Sequence, residues 1–357
     1  QLITGVTKAI ADLKKLKEGS GAPSRYEQDL PITLIGILIG VMVIPTFLVY
    51  LHFTGNVFAA LVAAVVMVAA GFLFCAVAGY LVGLIGSSSN PISGLTLSTL
   101  IVAAALMVIM GQTGAGGVAA VLGIAAVVCC ACGIGGDMMQ DLKVGHILGG
   151  TPRRMQLAEM ISVIIVAFLL IAPIGVLHAA DVQMGGEGIG GTELPAPQAG
   201  LMAMLSEGII GGEMAWPLLL VGAIFSVGLI LIKAPSPMLI AVGMYLPLQT
   251  TFAIFVGGIM RWIADALLRR RGADEQEQED AGNRGVLVAS GLIAGEALTG
   301  VLLAIWVIAT GSETAMFEIV AENSAVATVM MVLVFLLVAY MVISPPLRHF
   351  AGKRREG

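Results

Sequence analysis

Charged residues are scarce in this sequence, and their scarcity excludes most soluble proteins. Only 11% of the 357 residues are Asp, Glu, Lys or Arg, whereas a typical soluble domain carries about 25%. Hydrophobic residues make up 58% of the chain, and the mean hydropathy is +0.99. This composition excludes a soluble globular enzyme, a nucleic-acid-binding protein and a disordered protein. It predicts an all-α polytopic membrane protein, because long apolar runs in lipid need helices to satisfy their backbone.

Cysteine and histidine are also rare. The four cysteines all lie in apolar runs, which argues against a disulfide framework, and we expect them to be small helix-packing residues. The four histidines lie at span ends or in loops, which weighs against a membrane-embedded metal hydrolase. We therefore expect no metal site and no cofactor. The cysteines are Cys75, Cys129, Cys130 and Cys132.

Long apolar runs predict about eight full spans plus two broken segments, that is, a transmembrane domain over 31–345 with interrupted or re-entrant helices. Residues 1–30 read as a cytoplasmic amphipathic helix and linker, 269–283 as a charged cytoplasmic loop, and 346–357 as a basic cytoplasmic tail. The broken segments are 198–213 and 235–268. The eight runs are 31–53, 57–85, 95–111, 118–136, 156–178, 214–232, 284–310 and 326–344.

The positive charges indicate which face is cytoplasmic. With alternating spans, every one of the 18 Lys and Arg residues except Arg261 falls on one face, provided that 235–268 enters and leaves on the same side. The opposite loops, 179–197 and 311–325, contain no Lys or Arg. The positive-inside rule makes the basic face cytoplasmic. As one helix, 235–268 would be about 50 Å long against a hydrocarbon core of ~30 Å. We therefore predict a re-entrant hairpin broken near Pro247.

Two proline-interrupted apolar segments are the best indication of a binding site, because unwound backbone at membrane depth is tolerated where it lines a cavity. The first is GSSSNPISGLT (86–96), and the second is KAPSPMLIAVGMYLPLQTT (233–251). An ordinary cytoplasmic turn remains open for the first segment, and proline kinks in structural helices for the second. The residues predicted to bind substrate are Asn90, Pro91, Ser93, Gly94, Pro237, Met238, Tyr245 and Pro247.

A charged loop is predicted after the fourth span, GGDMMQDLKVGHILGGTPRRMQ (135–156). Its polar residues follow a glycine-rich helix end, and Thr151-Pro152 is expected to cap the next helix. By itself, such a loop is usually a topology anchor. The residues of interest in it are Asp137, Gln140, Asp141, Lys143, Thr151 and Arg153.

One glutamate lies near the centre of an apolar run. A charge there is unfavourable by roughly 2.5–3.5 kcal/mol even on a lenient scale, so Glu296 is expected to face a cavity or a partner, or to be protonated. We predict a proton-carrying carboxylate, and a buried structural hydrogen bond remains the alternative. Glu207 and Glu213 are further candidates for proton coupling. Asp265 follows Arg261 by four residues, which predicts an ion pair along one helix.

These strings resemble the oligopeptide transporter (OPT) superfamily, which includes yellow-stripe-like metal-chelate transporters. The resemblance runs from about residue 31 to 345. It is strongest in the Gly-Asp-x-x-Gln-Asp-Leu-Lys run that is followed by Thr-Pro-Arg. SSSNPISGLT and PSPMLIAVGMYLPLQTTFAIFVGG are moderately specific.

The resemblance implies proton-coupled uptake of small peptides or peptide-like metal chelates by alternating access, in a prokaryotic inner membrane. Family members are about twice this long, so we expect this to be the later portion, with a missing N-terminal half as partner. The expected partners are the substrate, protons and the lipid bilayer. Formation of a homo-oligomer is left open, and no nucleic-acid partner is expected. A passive channel and a membrane-embedded enzyme are the alternatives. A channel would need a repeated filter-like string, and none is found in the sequence.

Overall fold

The structure is a computed structural model, and it describes residues 24–87, 90–192, 194–234, 237–311 and 325–356. The amphipathic helix predicted over the first residues lies mostly outside this part of the chain. The outer segment 312–324 also lies outside it.

The described residues form helices and no strands, as predicted. A short 3₁₀ helix, Arg25–Glu27, comes before the first long helix. The α-helices are α1 (Ile32–Thr54), α2 (Val57–Ile85), α3 (Ile92–Ile109), α4 (Ala115–Leu148), α5 (Pro152–Gln183), α6 (Pro197–Gly211), α7 (Trp216–Leu231), α8 (Pro237–Tyr245), α9 (Leu248–Arg270), α10 (Glu275–Thr310) and α11 (Ala325–Glu356).

The chain divides into two compact units. The first comprises residues 1–169 and 198–222, and the second comprises 170–197 and 223–357. In the first unit, α2, α3 and α4 pack closely because small residues face one another at their contacts. The buried small residues of this cluster are Ala60, Ala63, Ala64, Ala103, Ala104 and Ala125.

The second unit is built mainly from α9, α10 and α11. The end of α5 joins it through Ala180, which packs with Ala304 and Val307 of α10. The Nε2 group of Gln183 donates a hydrogen bond of 3.2 Å to the carbonyl oxygen of Val307. These contacts fix the C-terminal end of α5 to the C-terminal end of α10.

Among the described residues, eight helices are long and apolar enough to cross a membrane, so the protein is a multi-pass membrane protein. The segment 198–213, predicted to be broken, instead forms the continuous helix α6 over most of its length. The set of spans differs from the predicted set at one place. The run 214–232 forms α7 with only 16 residues, about 24 Å long, because Lys233 adopts a left-handed conformation (φ 55°) and ends it. Thr250–Arg270, within the segment predicted to be broken, qualifies instead.

The prediction of a loop over 135–156 is wrong for most of these residues. Helix α4 continues through Gly135 and Gly136 to Leu148, and the turn contains only residues 149–151. The two glycines do not end the helix because neighbouring side chains pack directly on them. The helix ends at Gly149, which has φ 81° and donates its N–H to the carbonyls of residues 145 and 146. A glycine in this left-handed conformation is the usual C-cap.

The predicted charged loop over 269–283 is also mostly helical. Helix α9 ends at Arg270 and α10 begins at Glu275, which leaves a connection of residues 271–274. Asp274 and Glu277 form a capping box, in which each side chain accepts the other residue's backbone N–H. This box starts the helix inside the charged stretch. The predicted tail over 346–357 likewise continues α11 as far as Glu356.

Candidate functional site

The first proline-interrupted segment connects two spanning helices, which fits an ordinary turn as well as an unwound stretch within the bilayer. Helix α2 ends at Ile85, and α3 does not begin until Ile92, just after Pro91. The connection turns tightly, because the N–H of Asn90 donates to the Ser87 carbonyl at 3.1 Å and the Ile92 N–H donates to the Asn90 carbonyl at 2.9 Å. Proline cannot donate a backbone hydrogen bond and disfavours helix in the residue before it, which explains the position of the break.

The break is held against α4. The Asn90 side-chain Nδ2 donates a hydrogen bond of 3.1 Å to the Cys132 carbonyl oxygen. The Ser87 hydroxyl donates one of 2.9 Å to Oδ1 of Asp137. The Asn90 amide also lies over Gly136, where a Cβ would overlap its Nδ2 atom. The predicted break and the predicted charged motif therefore meet in one unit.

Asn90 leaves one hydrogen-bonding atom unused. Its Oδ1 is buried and has no hydrogen-bond partner among the described residues. An unpaired buried acceptor is unfavourable by about 1–3 kcal/mol, so such groups in a native structure need an explanation. The atom lies at an unwound point between two apolar helices, where a ligand donor could pair with it.

The other residues of the first break line the start of α3. Pro91, Ser93 and Gly94 are half-buried. The first turn of any helix leaves N–H groups without intrahelical partners, which makes it a place where a carboxylate can bind. The buried hydroxyls of Thr96 and Thr99, by contrast, are paired with carbonyls one turn earlier, at 2.8 and 2.9 Å.

The second predicted break is confirmed at Leu246-Pro247. Helix α8 ends at Tyr245 and α9 begins at Leu248. The Thr251 hydroxyl bridges the break, since it lies 3.2 Å from the Gly243 carbonyl oxygen and 3.3 Å from that of Pro247. Pro237 is half-buried and starts α8. The side chains of Met238 and Tyr245 lie outside the described part of the structure.

The two breaks belong to different compact units, with the first in 1–169 and the second in 223–357. Their convergence on one chamber remains a prediction. The re-entrant course of 235–268 also remains a prediction. The observed lengths agree with it in one respect: α8 has nine residues, about 14 Å, which is half a membrane crossing.

The charged motif divides into two parts with different contacts. Asp137 contacts the first break, whereas Gln140, Asp141 and Lys143 are exposed on the last turns of α4. The end of the motif binds the segment before α1. The Thr151 hydroxyl accepts from Arg25 Nε at 3.2 Å, and the Arg153 N–H donates to the residue 28 carbonyl at 2.7 Å. This part of the motif is an anchor for the preceding segment.

Gln156 completes this anchor. Its Oε1 accepts the Leu30 N–H at 2.8 Å, and its Nε2 donates to Asp29 Oδ1 at 2.9 Å. The Tyr26 ring also meets the His146 ring edge-on, with a centroid distance of 6.0 Å. Neither Gln156 nor the N-terminal partners were predicted, because contacts over more than a hundred residues leave no local pattern.

The three candidate proton-coupling glutamates are all exposed. Glu296 lies in the apolar part of α10 and has no hydrogen-bond or ion-pair partner among the described residues. The alternative of a structural hydrogen bond therefore finds no support within the described chain. Glu207 on α6 and Glu213 just beyond it belong to the first unit, whereas Glu296 belongs to the second.

Two further predictions concern charge and metal. The ion pair of Arg261 with Asp265 is confirmed, at 3.0 Å between Nε and Oδ2. The cysteines are free thiols. Within the described residues, no group of three or more His, Cys, Asp or Glu side chains is arranged to hold a metal ion.

Sequence comparison identifies relatives of the chain. A family model described as "OPT oligopeptide transporter protein" matches residues 3–307. A Haemophilus influenzae protein (strain ATCC 51907 / DSM 11121 / KW20 / Rd) described as "Putative oligopeptide transporter" is 30% identical over 367 residues, covering 90% of this chain and 56% of that protein. The chain thus spans about half the length of the curated relative that it matches. No solved structure matches it.

Proposed function

The chain belongs to the OPT oligopeptide transporter family, and on that premise we propose that it forms part of a proton-coupled importer of small peptides. The importer works by alternating access in the cytoplasmic (inner) membrane. Its basic loops and its C-terminus face the cytoplasm, in keeping with the positive-inside rule. A peptide-like metal chelate is the alternative substrate. Because the relative is longer than this chain, we include a second half as a proposed partner. The alternative is a homo-oligomer, in which a second copy of the chain packs against the first.

The observation that carries this proposal is the buried Oδ1 of Asn90 between α2 and α3, which has no hydrogen-bond partner among the described residues. A peptide offers N–H donors and an ammonium terminus, and these are the groups that an orphaned carbonyl oxygen and a carboxylate accept. Asp137 supplies that carboxylate about one and a half turns further along the neighbouring helix from Cys132, whose carbonyl accepts the Asn90 hydrogen bond. The start of α3 suits the carboxylate end of the same peptide.

Proton coupling is assigned in this proposal to Glu296. Its carboxylate lies in the apolar part of a spanning helix and has no hydrogen-bond or ion-pair partner among the described residues. Because a charge there is unfavourable, such residues in spanning helices typically mark proton or ion pathways. Glu279 provides a matched control, because it lies on the same helix but within its charged first turns.

Uptake into proteoliposomes tests the proposal. The chain is reconstituted alone and together with the proposed second half, and accumulation of radiolabelled tri-alanine and hexa-alanine is measured with an inward proton gradient. We expect uphill uptake that collapses with the gradient in the preparation that contains both halves. Asn90→Ala should lower uptake, whereas Ser98→Ala on the exposed side of α3 should not. Gradient-independent flux through the native chain would instead indicate a channel.

The proton role has its own test in the same vesicles. Glu296→Gln is expected to abolish uphill accumulation while peptide exchange across the membrane continues, because glutamine cannot carry a proton. Glu279→Gln should leave both activities intact. Normal accumulation by Glu296→Gln would show that this carboxylate does not carry the coupling proton.

A further inference from the structure

A cavity separate from both helix breaks lies at the polar ends of α9, α10 and α11. Its volume is about 200 Å³, and its walls are largely apolar. The apolar side chains along it include Val286 and Ala289 of α10, and Val342 and Ile343 of α11. Among the described residues, the polar side chains in its wall are those of Arg261 and Asp265, both on α9.

The guanidinium of Arg261 is only partly used by the protein. Its Nε lies 3.1 and 3.0 Å from the two carboxylate oxygens of Asp265. Its two terminal nitrogens lie over Gly282, where a Cβ would overlap the guanidinium, and neither has a hydrogen-bond partner among the described residues. The Arg261 side chain is 52% exposed, and the edge formed by its terminal nitrogens is not hydrogen-bonded by the described residues. That edge is the one which binds phosphate oxygens in a bidentate manner.

The position of the cavity along the helices matches the boundary of the hydrocarbon core. All charged residues of α10 except Glu296 lie within its first ten residues, ending at Arg284, and the apolar remainder begins at Gly285. In the sequence of α11, the first charged residue is Arg348, five residues after Ile343 in the cavity wall. The guanidinium is thus at the level where lipid headgroups meet acyl chains.

We propose that this cavity binds one anionic phospholipid. Its phosphate pairs with the free edge of Arg261, and an acyl chain lies along Val286, Ala289 and Val342. This site is distinct from the proposed peptide site and from Glu296, and it depends only on the membrane location of the chain.

Substitution of Asp265 distinguishes lipid binding from a purely structural role of the ion pair. Its carboxylate repels a second anion at the same guanidinium, so Asp265→Asn should tighten binding of an anionic lipid even though it removes an ion pair. Arg261→Gln should weaken that binding about tenfold. Arg261→Lys, which keeps the charge but loses the two-nitrogen edge, should lie between the native chain and Arg261→Gln.

Native mass spectrometry of the full chain in detergent measures this directly. Palmitoyl-oleoyl phosphatidylglycerol is titrated against phosphatidylcholine with the same chains, and against inorganic phosphate. We expect phosphatidylglycerol to bind about tenfold more tightly than phosphatidylcholine, and Arg271→Gln, a control at the end of α9, to change nothing. Equal binding of the two lipids, or an unaltered affinity in Arg261→Gln, would overturn the proposal.

A second variant keeps the proposal testable if Arg261→Gln does not fold. Ala289→Leu fills the apolar end of the cavity without touching the guanidinium, and it should reduce binding of both lipids. If inorganic phosphate displaces phosphatidylglycerol at low millimolar concentration and Ala289→Leu has no effect, the cavity binds a free anion and the lipid assignment is wrong.

Discussion

Gly136→Ala is the substitution that tests the packing of the first break most sharply. A Cβ at this position would overlap the Nδ2 atom of Asn90 and would lie 3.0 Å from Cγ2 of Val82. Both neighbours would have to move. The Asn90 amide would leave the Cys132 carbonyl, which it reaches at 3.1 Å in the native arrangement, and the unpaired Oδ1 would move with it.

The expected magnitude follows from three terms. Loss of the hydrogen bond is unfavourable by about 0.5–1.5 kcal/mol, and overpacking a close contact by about 1–3 kcal/mol. The higher helix propensity of alanine offsets about 1 kcal/mol. The free energy of unfolding should therefore fall by roughly 0.5–3.5 kcal/mol. If Asn90 contributes about 1.4 kcal/mol to peptide binding, apparent affinity should fall about tenfold.

The assay combines thermal unfolding in detergent with peptide uptake in proteoliposomes. Gly133→Ala is the matched control, because it lies one turn earlier on the same helix and its Cβ would meet only Cδ1 of Ile92, at 3.7 Å. That distance is an ordinary van der Waals contact, so this variant should be neutral or slightly more stable. If Gly136→Ala behaves like Gly133→Ala in both measurements, the reasoning about the break is refuted.

Three further outcomes are expected. Asp137→Asn should lower uptake of free peptides about tenfold or more but leave uptake of N-acetylated peptides unchanged. The control Asp141→Asn should change uptake of neither kind. Equal losses for both kinds in Asp137→Asn would contradict a contact with the peptide ammonium group. Gln156→Leu should lower the free energy of unfolding by about 1–3 kcal/mol and raise hydrogen exchange in residues 24–30, and unchanged exchange there would argue against the anchor. Gly149 has φ 81°, so Gly149→Ala should lower the free energy of unfolding by about 1–2 kcal/mol. Gly175→Ala, in open helical space, should raise it. The opposite order of the two variants in thermal unfolding would contradict this.

The sequence was sufficient to predict the helical membrane fold and the helix end at Leu246-Pro247. Proline alone does not set such ends, because Pro45 and Pro173 lie inside α1 and α5. Long apolar runs predicted the spans, because lipid imposes one requirement on every residue in it. The exception was 214–232, where the left-handed conformation of Lys233 shortens the helix.

Helix ends in charged segments were predicted poorly. The hydropathy pattern predicted that α4 ends at Gly135-Gly136 and that α10 begins at Arg284. The observed boundaries are Leu148 and Glu275, and neither depends on hydropathy. The glycines stay helical because Cys75 and Asn90 pack on them, and α10 starts at the Asp274 capping box. A closer look at Asp274 and Glu277, spaced as in a capping box, could have found the second boundary.

The candidate site was only partly predictable. Asn90 and Asp137 were both singled out, but nothing in their spacing shows that the α2–α3 break packs on α4. Gly136 and the Cys132 carbonyl were missed because their roles depend on which helix lies opposite. The anchoring role of Thr151 depends in the same way on Arg25, which is far away in the sequence.

The central claim is that the start of α3, just after the first break, contacts the transported peptide. Protection of an introduced thiol measures this most directly: Ser93→Cys and, separately, Ser98→Cys are placed in a chain whose four native cysteines are replaced, and maleimide labelling is timed with and without hexa-alanine. We predict that the peptide slows labelling at position 93 severalfold and leaves position 98 unchanged. Equal labelling rates at position 93 with and without peptide would contradict the account.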